Sequence, residues 1–387
     1  MRIIHVFRAP IGGLFRHVID LAKEQAARGH EVGIFCDSTF AGERNETMLA
    51  ELATHLTLGI ERFAMHRNPH WSDVVAITAL SRFSTRAGAD VLHGHGSKGG
   101  LYARIGGLPR NNGALRAYTP HGGSLNYKPG SLIHKTYMGI EYLLERATDV
   151  FLFESQFVAD RFHEFVCETH AVTRIVLNGL HKHEVTPIVA NKDAVDFLYI
   201  GEFRFAKGID NLLEAMGQLR AISDTPPSLV LVGQGPDEDA LRAQVQALGM
   251  TDSISFHKPM AAREAFALAR TMIVPSRFES MPYVVIEAAG ATMPLISTDV
   301  GGIPEIFGDE KYRLIPCDDV PALLSKMNSL MRMTDAERHA PAERLARHIE
   351  DNFSVGKMTT TVLEAYEAAK LNRQQAPDHS DAERRAS

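Results

Sequence analysis

From its second residue the chain repeats one pattern: a short apolar run, a glycine- or histidine-rich turn, then an amphipathic stretch. Residues 2–7 (RIIHVF) read as a strand, Gly12 and Gly13 as a turn, and residues 14–28 as a helix with Leu14, Val18, Leu21 and Ala22 on one face. GHEVGIFC, ADVLHGHG (89–96), LRAYTPHGG (115–123), ATDVFLFES (147–155) and TRIVLNG (173–179) continue the strands. The pattern restarts at DFLYIGEF (196–203) and runs through SLVLVGQG, SISFH, TMIVPS and PLIST (294–298). Strands regularly separated by helices imply parallel β-α-β units. The expected architecture is α/β, two doubly wound domains facing a cleft, with ligands bound beyond the carboxyl ends of the strands.

A length of 387 residues suits two such domains. The expected boundaries are 1–185 and 195–350, with HKHEVTPIVANKDAV (181–195) as a polar linker. A helical stretch over roughly 335–372 follows, its last part (351–372) forming a C-terminal helix that packs back toward the first domain. Residues 373–387 hold almost no large apolar side chain and are expected to be disordered. The three cysteines, Cys36, Cys167 and Cys317, are far apart, which argues against a disulfide framework or zinc site and for a reducing cytosol. No run reaches the roughly 18 apolar residues of a membrane span, and the amino terminus turns to glycine too soon for a signal peptide. The net charge of −6 argues against a nucleic-acid partner. Through Ala190, however, 20 Lys and Arg stand against 18 Asp and Glu, so an anionic acceptor or membrane surface suits the first half better.

The loops after the strands carry the chemistry. In SRFESMPYVVIEAAGATMPLISTDVGGIPE (276–305), Pro282 fits the first position of a helix ending near Gly290. Within 281–283, the free amides on either side of Pro282 would seat a phosphate. Glu279 and Glu287 flank that seat, and a carboxylate, which only accepts hydrogen bonds, suits sugar hydroxyls better than phosphate. Together they suggest a nucleotide-sugar. GEFRFAKG (201–208) adds Arg204 and Lys207, the cations that a diphosphate leaving group needs. Gly12 and Gly13 would let amides approach the same diphosphate. GQGP (233–236) lacks the third glycine of a dinucleotide fingerprint and reads as a loop bordering the cleft. His121, in YTPHGGS, can bond a sugar hydroxyl or a reacting oxygen. His93 and His95 resemble metal ligands only superficially, because no carboxylate or cysteine accompanies them. Taken singly, each feature has an ordinary structural explanation: solvated glutamates at a helix start, a surface basic pair, a turn, or core histidines.

Taken together, these motifs resemble the family 4 glycosyltransferases, retaining enzymes of GT-B fold. The likeness runs through Gly12-Gly13 with HVIDLAKEQAARGHEV, then PHGGS, VLNG, KGIDNLLEA, LVGQGP and the Glu-x7-Glu block of Glu279 and Glu287. It implies that Glu279 contacts the donor sugar and Glu287 the ribose diol. Amides around Ser280 to Pro282, those of Ser280 and Met281 beside Pro282, would hold the diphosphate together with Gly13 and Lys207. His121 would lie near the donor sugar, with Gly12, Gly201 and Gly235 lining the donor, and VGGIPE (300–305) the nucleotide side. It implies neither a metal nor another cofactor. One position departs: where the family has arginine after the glycine of its G-R-x4-K-G motif, this chain has Glu202, and Arg204 is the expected substitute.

The resulting expectation is a retaining, metal-independent hexosyltransferase that uses a UDP- or GDP-sugar and a glycan or lipid-linked acceptor in bacterial surface polysaccharide or lipopolysaccharide synthesis. It would be cytoplasmic, with peripheral contact to the inner face of the cell membrane. The acceptor side is assigned to His95, Lys98 and Asn126, with Arg104, Arg110 and Lys128 as further basic residues. A sugar-nucleotide epimerase of the same fold and a non-catalytic nucleotide-sugar binding protein are the competing classes.

Overall fold

The computed structural model describes residues 1–39, 42–106 and 113–375, so Arg110 and most of the expected tail lie outside the described residues. The chain divides into two units. The first holds residues 1–154, 158–177 and the chain from Gly356; the second holds 155–157 and 178–355.

Unit 1 opens with β1 (Arg2–Phe7), α1 (Gly12–Ala27), β2 (Glu31–Asp37) and α2 (Glu43–Ala53). Next come β3 (Gly59–Phe63), α3 (Ser72–Ala87), β4 (Val91–His95) and α4 (Gly96–Gly106). β5 (Leu115–Thr119), α5 (Leu132–Glu145), β6 (Val150–Phe153), α6 (Gln156–Phe165) and β7 (Val172–Ile175) complete the sheet. All seven strands are parallel, in the order β3-β2-β1-β4-β5-β6-β7. Strand β3 was not apparent from the sequence. GIERF carries two charges and is half-buried throughout, as an edge strand permits. Strand alternation divides the core: Ile4 and Val6 of β1 join Leu80, Leu92 and Tyr102 on one face, while Phe7 joins Phe15, Val18 and Ile34 under α1 on the other.

Unit 2 runs β8 (Val195–Ile200), α7 (Ile209–Ile222), β9 (Leu229–Val232), α8 (Glu238–Ala247) and β10 (Ile254–His257). It continues with α9 (Ala262–Phe266), β11 (Ala269–Val274), α10 (Tyr283–Gly290), β12 (Leu295–Ser297) and α11 (Ile303–Phe307). Helices α12 (Val320–Arg332) and α13 (Asp335–Asn352) end it. Its parallel sheet has the order β10-β9-β8-β11-β12.

Two expectations change here. The segment at 181–195 is no free linker: Ile188 donates to the Ala291 carbonyl and Asn191 to that of Ala267, while Arg263 bonds the carbonyls of Glu184 and Thr186. The C-terminal helix expected over 351–372 is α14 (Val355–Gln375), which starts later, after α13 ends at Asn352, and takes in residues 373–375 of the expected tail. The break falls at Phe353 and Ser354, where the Leu180 amide bonds the Phe353 carbonyl and the Val355 amide bonds that of Leu180. Helix α14 joins unit 1, with the Tyr366 hydroxyl 2.7 Å from His93 Nδ1 and Arg373 paired to Asp149. Among the described residues no helix is long and apolar enough to cross a membrane.

A doubly wound sheet opens a crevice where its strand order reverses. In unit 1 this point lies between β1 and β4, and in unit 2 between β8 and β11. The loops after β8 and β11 hold Lys207 and Glu279.

Candidate functional site

At the reversal point of unit 2, Lys207 ends a one-turn 3₁₀ segment (Phe205–Lys207), and its Nζ lies 2.7 Å from Glu279 Oε1. The Ser276 hydroxyl donates to the same oxygen at 2.7 Å. An ammonium has three donors, so this pairing leaves two for a ligand, and Glu279 Oε2 remains an acceptor.

Arg277, absent from the sequence assignment, braces both loops. Its backbone amide donates to the Ala206 carbonyl, and its guanidinium donates to the Phe205 carbonyl, to both oxygens of Asp210 and to Asp318. These carboxylates keep the guanidinium charged, raising its already high pKa. Backbone contact tightens the pair further, since a methyl on Gly208 would overlap the Pro275 carbonyl.

The Gly301-Gly302 turn supports the other side of the loop. Gly302 N–H bonds the Ser280 carbonyl at 2.8 Å, and Gly301 has φ +60° with no room for a methyl against the Glu279 carbonyl. Gly301→Ala is therefore expected to destabilise unit 2 by about 2 kcal/mol and displace Glu279, which thermal unfolding of the variant with and without UDP would register.

Asn178 of VLNG, whose partner the sequence did not indicate, donates to the Met281 carbonyl at 2.8 Å. Pro282 is extended (φ −74°, ψ 119°) and precedes the helix rather than starting it, so α10 begins at Tyr283. No side chain caps this end at Pro282 and no acid lies in its first turn, so the positive end of the helix dipole is not offset by a carboxylate there. Glu287 is half-buried on α10. In VGGIPE, the Glu305 carboxylate instead accepts the amides of Gln156 and Phe157 at 2.8 and 3.0 Å.

Arg204 is half exposed and pairs with Glu202 at 3.1 Å. It lines a small pocket with Asp210, Asp237 and Gln244. Gly201 and Gly235 fall where the loops after β8 and β9 meet, held by Phe203 N–H to the Gln234 carbonyl at 2.9 Å.

In unit 1, Gly12 and Gly13 are exposed at the start of α1, which has neither a side-chain cap nor an acid in its first turn. His121 takes a left-handed backbone conformation (φ 51°) that side chains other than glycine seldom adopt. Its N–H donates to Glu154 Oε2, and its Nε2 lies 3.1 Å from His95 Nδ1.

Two acceptor-side assignments change. His95 is 1% exposed, within β4 rather than in a loop, so it cannot touch an acceptor directly. Lys98 donates to Asp73 and to the carbonyls of His66 and Asn68, a bracket for the loop before α3. Arg104 is likewise interior, 2.7 Å from Glu141 and stacked on Tyr118. Asn126 and Lys128 are exposed. The bracketed loop carries Trp71, the chain's single tryptophan, 75% exposed.

Two histidine trios, His5–His93–His95 and His17–His95–His121, hold ring nitrogens within 4.8 Å of one another. Both nitrogens of His95 already engage histidine neighbours at hydrogen-bond distance.

The model of Glycosyltransferase Family 4 matches residues 11–182, and that of Glycosyl transferases group 1 matches residues 183–348. The glycogen synthase of Mycobacterium tuberculosis is 25% identical over 398 residues, covering 94% of this chain and 93% of that protein. The sucrose-phosphate synthase of Thermosynechococcus elongatus shares the fold, with a TM-score of 0.76 at 19% identity over 97% of this chain and 99% of that one. So does HepE of Anabaena in complex with UDP-glucose, with a TM-score of 0.78 at 18% identity over 95% and 100%. Consecutive family models over both units, a relative matched nearly end to end and a shared two-domain fold lead to one conclusion: the chain is a family 4 glycosyltransferase of GT-B fold.

Proposed function

We propose that this glycosyltransferase moves a hexose from a UDP- or GDP-sugar to a hydroxyl of a glycan or lipid-linked acceptor, with retention at the anomeric carbon. The observation that carries this reading is the Lys207–Glu279–Ser276 arrangement at the reversal point of unit 2. Glu279 Oε2 suits a hydroxyl of the donor sugar, and the spare ammonium hydrogens of Lys207 suit the diphosphate. As the anomeric bond breaks, negative charge grows on the departing diphosphate. Lys207, Arg204 and the amides of Ser280, Met281 and the start of α10 would offset it, so the reading asks for no metal. Gly12 and Gly13 are assigned to the same diphosphate, and Glu287 to the ribose diol. Gly201 and Gly235 shape the donor loops, and His121 is assigned to the sugar being transferred. HepE, which shares the fold, forms a complex with UDP-glucose, and this supports a nucleotide-sugar donor.

For the acceptor, we assign Asn126 and the exposed Trp71, whose indole offers an aromatic face to a sugar ring. Lys98 then acts indirectly, by holding the loop that presents Trp71. Surface polysaccharide or lipopolysaccharide synthesis, at the cytoplasmic face of the membrane, is the proposed setting.

A thermal-shift series with UDP, GDP, UMP and UDP- and GDP-hexoses tests the donor. One base's diphosphate and its sugar should stabilise the protein by about 2.7 kcal/mol at a hundredfold excess over Kd, and UMP by much less. No shift with any diphosphate at millimolar concentration would remove the reading. Because Trp71 is the sole tryptophan, its emission should quench or shift when an oligosaccharide acceptor that supports transfer is added. Unchanged emission under those conditions would take Trp71 out of the acceptor site.

A further inference from the structure

Beneath the start of α1, the face of the unit 1 sheet is lined with histidine. β1 and β4 pair with His5 opposite His93, and His95 lies opposite Thr119 of β5. Strand alternation therefore sends His5, His93, His95 and Thr119 to one face. Gln25 from α1 and Tyr366 from α14 reach the same face, and His5, His93 and His95 are at most 1% exposed.

Three contacts run in series. Gln25 Oε1 lies 2.8 Å from His5 Nε2, His5 Nδ1 lies 3.0 Å from His95 Nε2, and His95 Nδ1 lies 3.1 Å from His121 Nε2. His93 forms a separate branch, with Nδ1 on the Tyr366 hydroxyl and Nε2 on the Thr119 hydroxyl. His17 of α1 packs edge-on against the His121 ring, and Glu154 takes the His121 backbone N–H rather than a ring nitrogen.

A neutral imidazole has one N–H and one lone pair, so a run of them points in a single direction. The Gln25 carbonyl oxygen can only accept. His5 must then donate from Nε2 and accept at Nδ1, His95 must do the same, and His121 must donate from Nε2. His121 Nδ1, which bonds no described residue, is left as a lone pair. We infer that Gln25, His5 and His95 are positioning residues that fix His121 as its Nε2–H tautomer, so that Nδ1 accepts a hydroxyl hydrogen from the bound saccharide. Burial keeps the run neutral: it holds His5 down to about 4 and His95 and His121 well below the ordinary histidine value. The left-handed backbone at His121 is the strain one expects where a ring must be held in one attitude. The inference rests on the assignment of His121 to the sugar, but the tautomer can be read without any substrate.

The test is long-range ¹H–¹⁵N spectroscopy of protein labelled at the histidine rings, recorded from pH 5.5 to 8. His5, His95 and His121 should each appear as neutral Nε2–H imidazoles that do not titrate. A His121 protonated on Nδ1, or titrating near 6.5, overturns the inference. So does a His121 signal that changes when a chelator strips metal from the protein, since a metal held by His17, His95 and His121 would then replace the proton chain. Gln25→Met keeps the shape but removes the terminal acceptor, and should leave His121 in mixed tautomers. It should also slow turnover about tenfold while UDP still shifts the melting temperature as before. An unchanged tautomer in that variant refutes the chain. A mixed tautomer with full turnover upholds the chain and instead removes His121 from the reaction.

Discussion

Lys207→Ala should lower transfer about a hundredfold to a thousandfold while the protein stays folded, the loss typical of removing one preorganised donor from a developing anion. The structure explains both halves of that expectation. Lys207 is tied to the fold mainly through Glu279, which keeps its bond to Ser276 when the lysine is gone. The loops themselves are held by Arg277, Gly208 and the Gly301-Gly302 turn, none of which the substitution touches. Circular dichroism should therefore be unchanged, and the thermal stabilisation by UDP or GDP should largely disappear. Lys207→Arg restores the charge but not the compact ammonium, and should recover only part of the rate. Near-normal transfer by the alanine variant would remove Lys207 from the reaction.

The second large effect is acid sensitivity confined to unit 1. His5, pushed down to about 4 by burial, stays neutral in the folded protein, whereas in the unfolded chain it takes a proton near 6.5. The unfolded state thus binds more protons in that window, and stability falls as pH drops from 6.5 toward 4. For His5 alone the loss approaches about 3 kcal/mol at the acid end, and His93, His95 and His121 add losses of the same sign. In unit 2 the depressed groups that titrate in acid are carboxylates. Asp318, whose ionised form Asn211 and Arg277 stabilise against the cost of burial, and Glu310, beside Arg344, contribute stability that is lost only below the ordinary carboxylate range. Between pH 7 and pH 5 the midpoint of unit 1 should therefore fall by at least about 5 °C while that of unit 2 barely moves. Hydrogen exchange followed peptide by peptide, corrected for intrinsic rates, would separate the two. An equal loss of protection in both units would contradict the assignment.

Much of this was legible before any coordinates. Apolar runs at β1, β8, β9 and β11 marked both sheets, and SRFES, KG and the paired glycines marked the loops at the reversal of unit 2, because strand and turn signals are local. Partnership is not local. Arg277 read as one more basic residue, yet it joins two loops through Asp210, 67 positions away. Lys98 and Arg104 read as surface charge because composition cannot show that Asp73 and Glu141 wait inside the fold. HGH read as a loop since histidine and glycine are weak strand formers. The period-two spacing of His93 and His95 was the available signal that both belong to a strand and share a face.

The return of α14 to unit 1 has a consequence for synthesis on the ribosome. Unit 2, although later in the chain, holds all its residues once Val355 has emerged. Unit 1, begun first, must wait for Tyr366 and Arg373 to cover its histidine face and brace Asp149. The domain translated second is thus the first able to mature, and a nascent chain from which Val355 has just emerged would carry a finished unit 2 behind an unsealed unit 1.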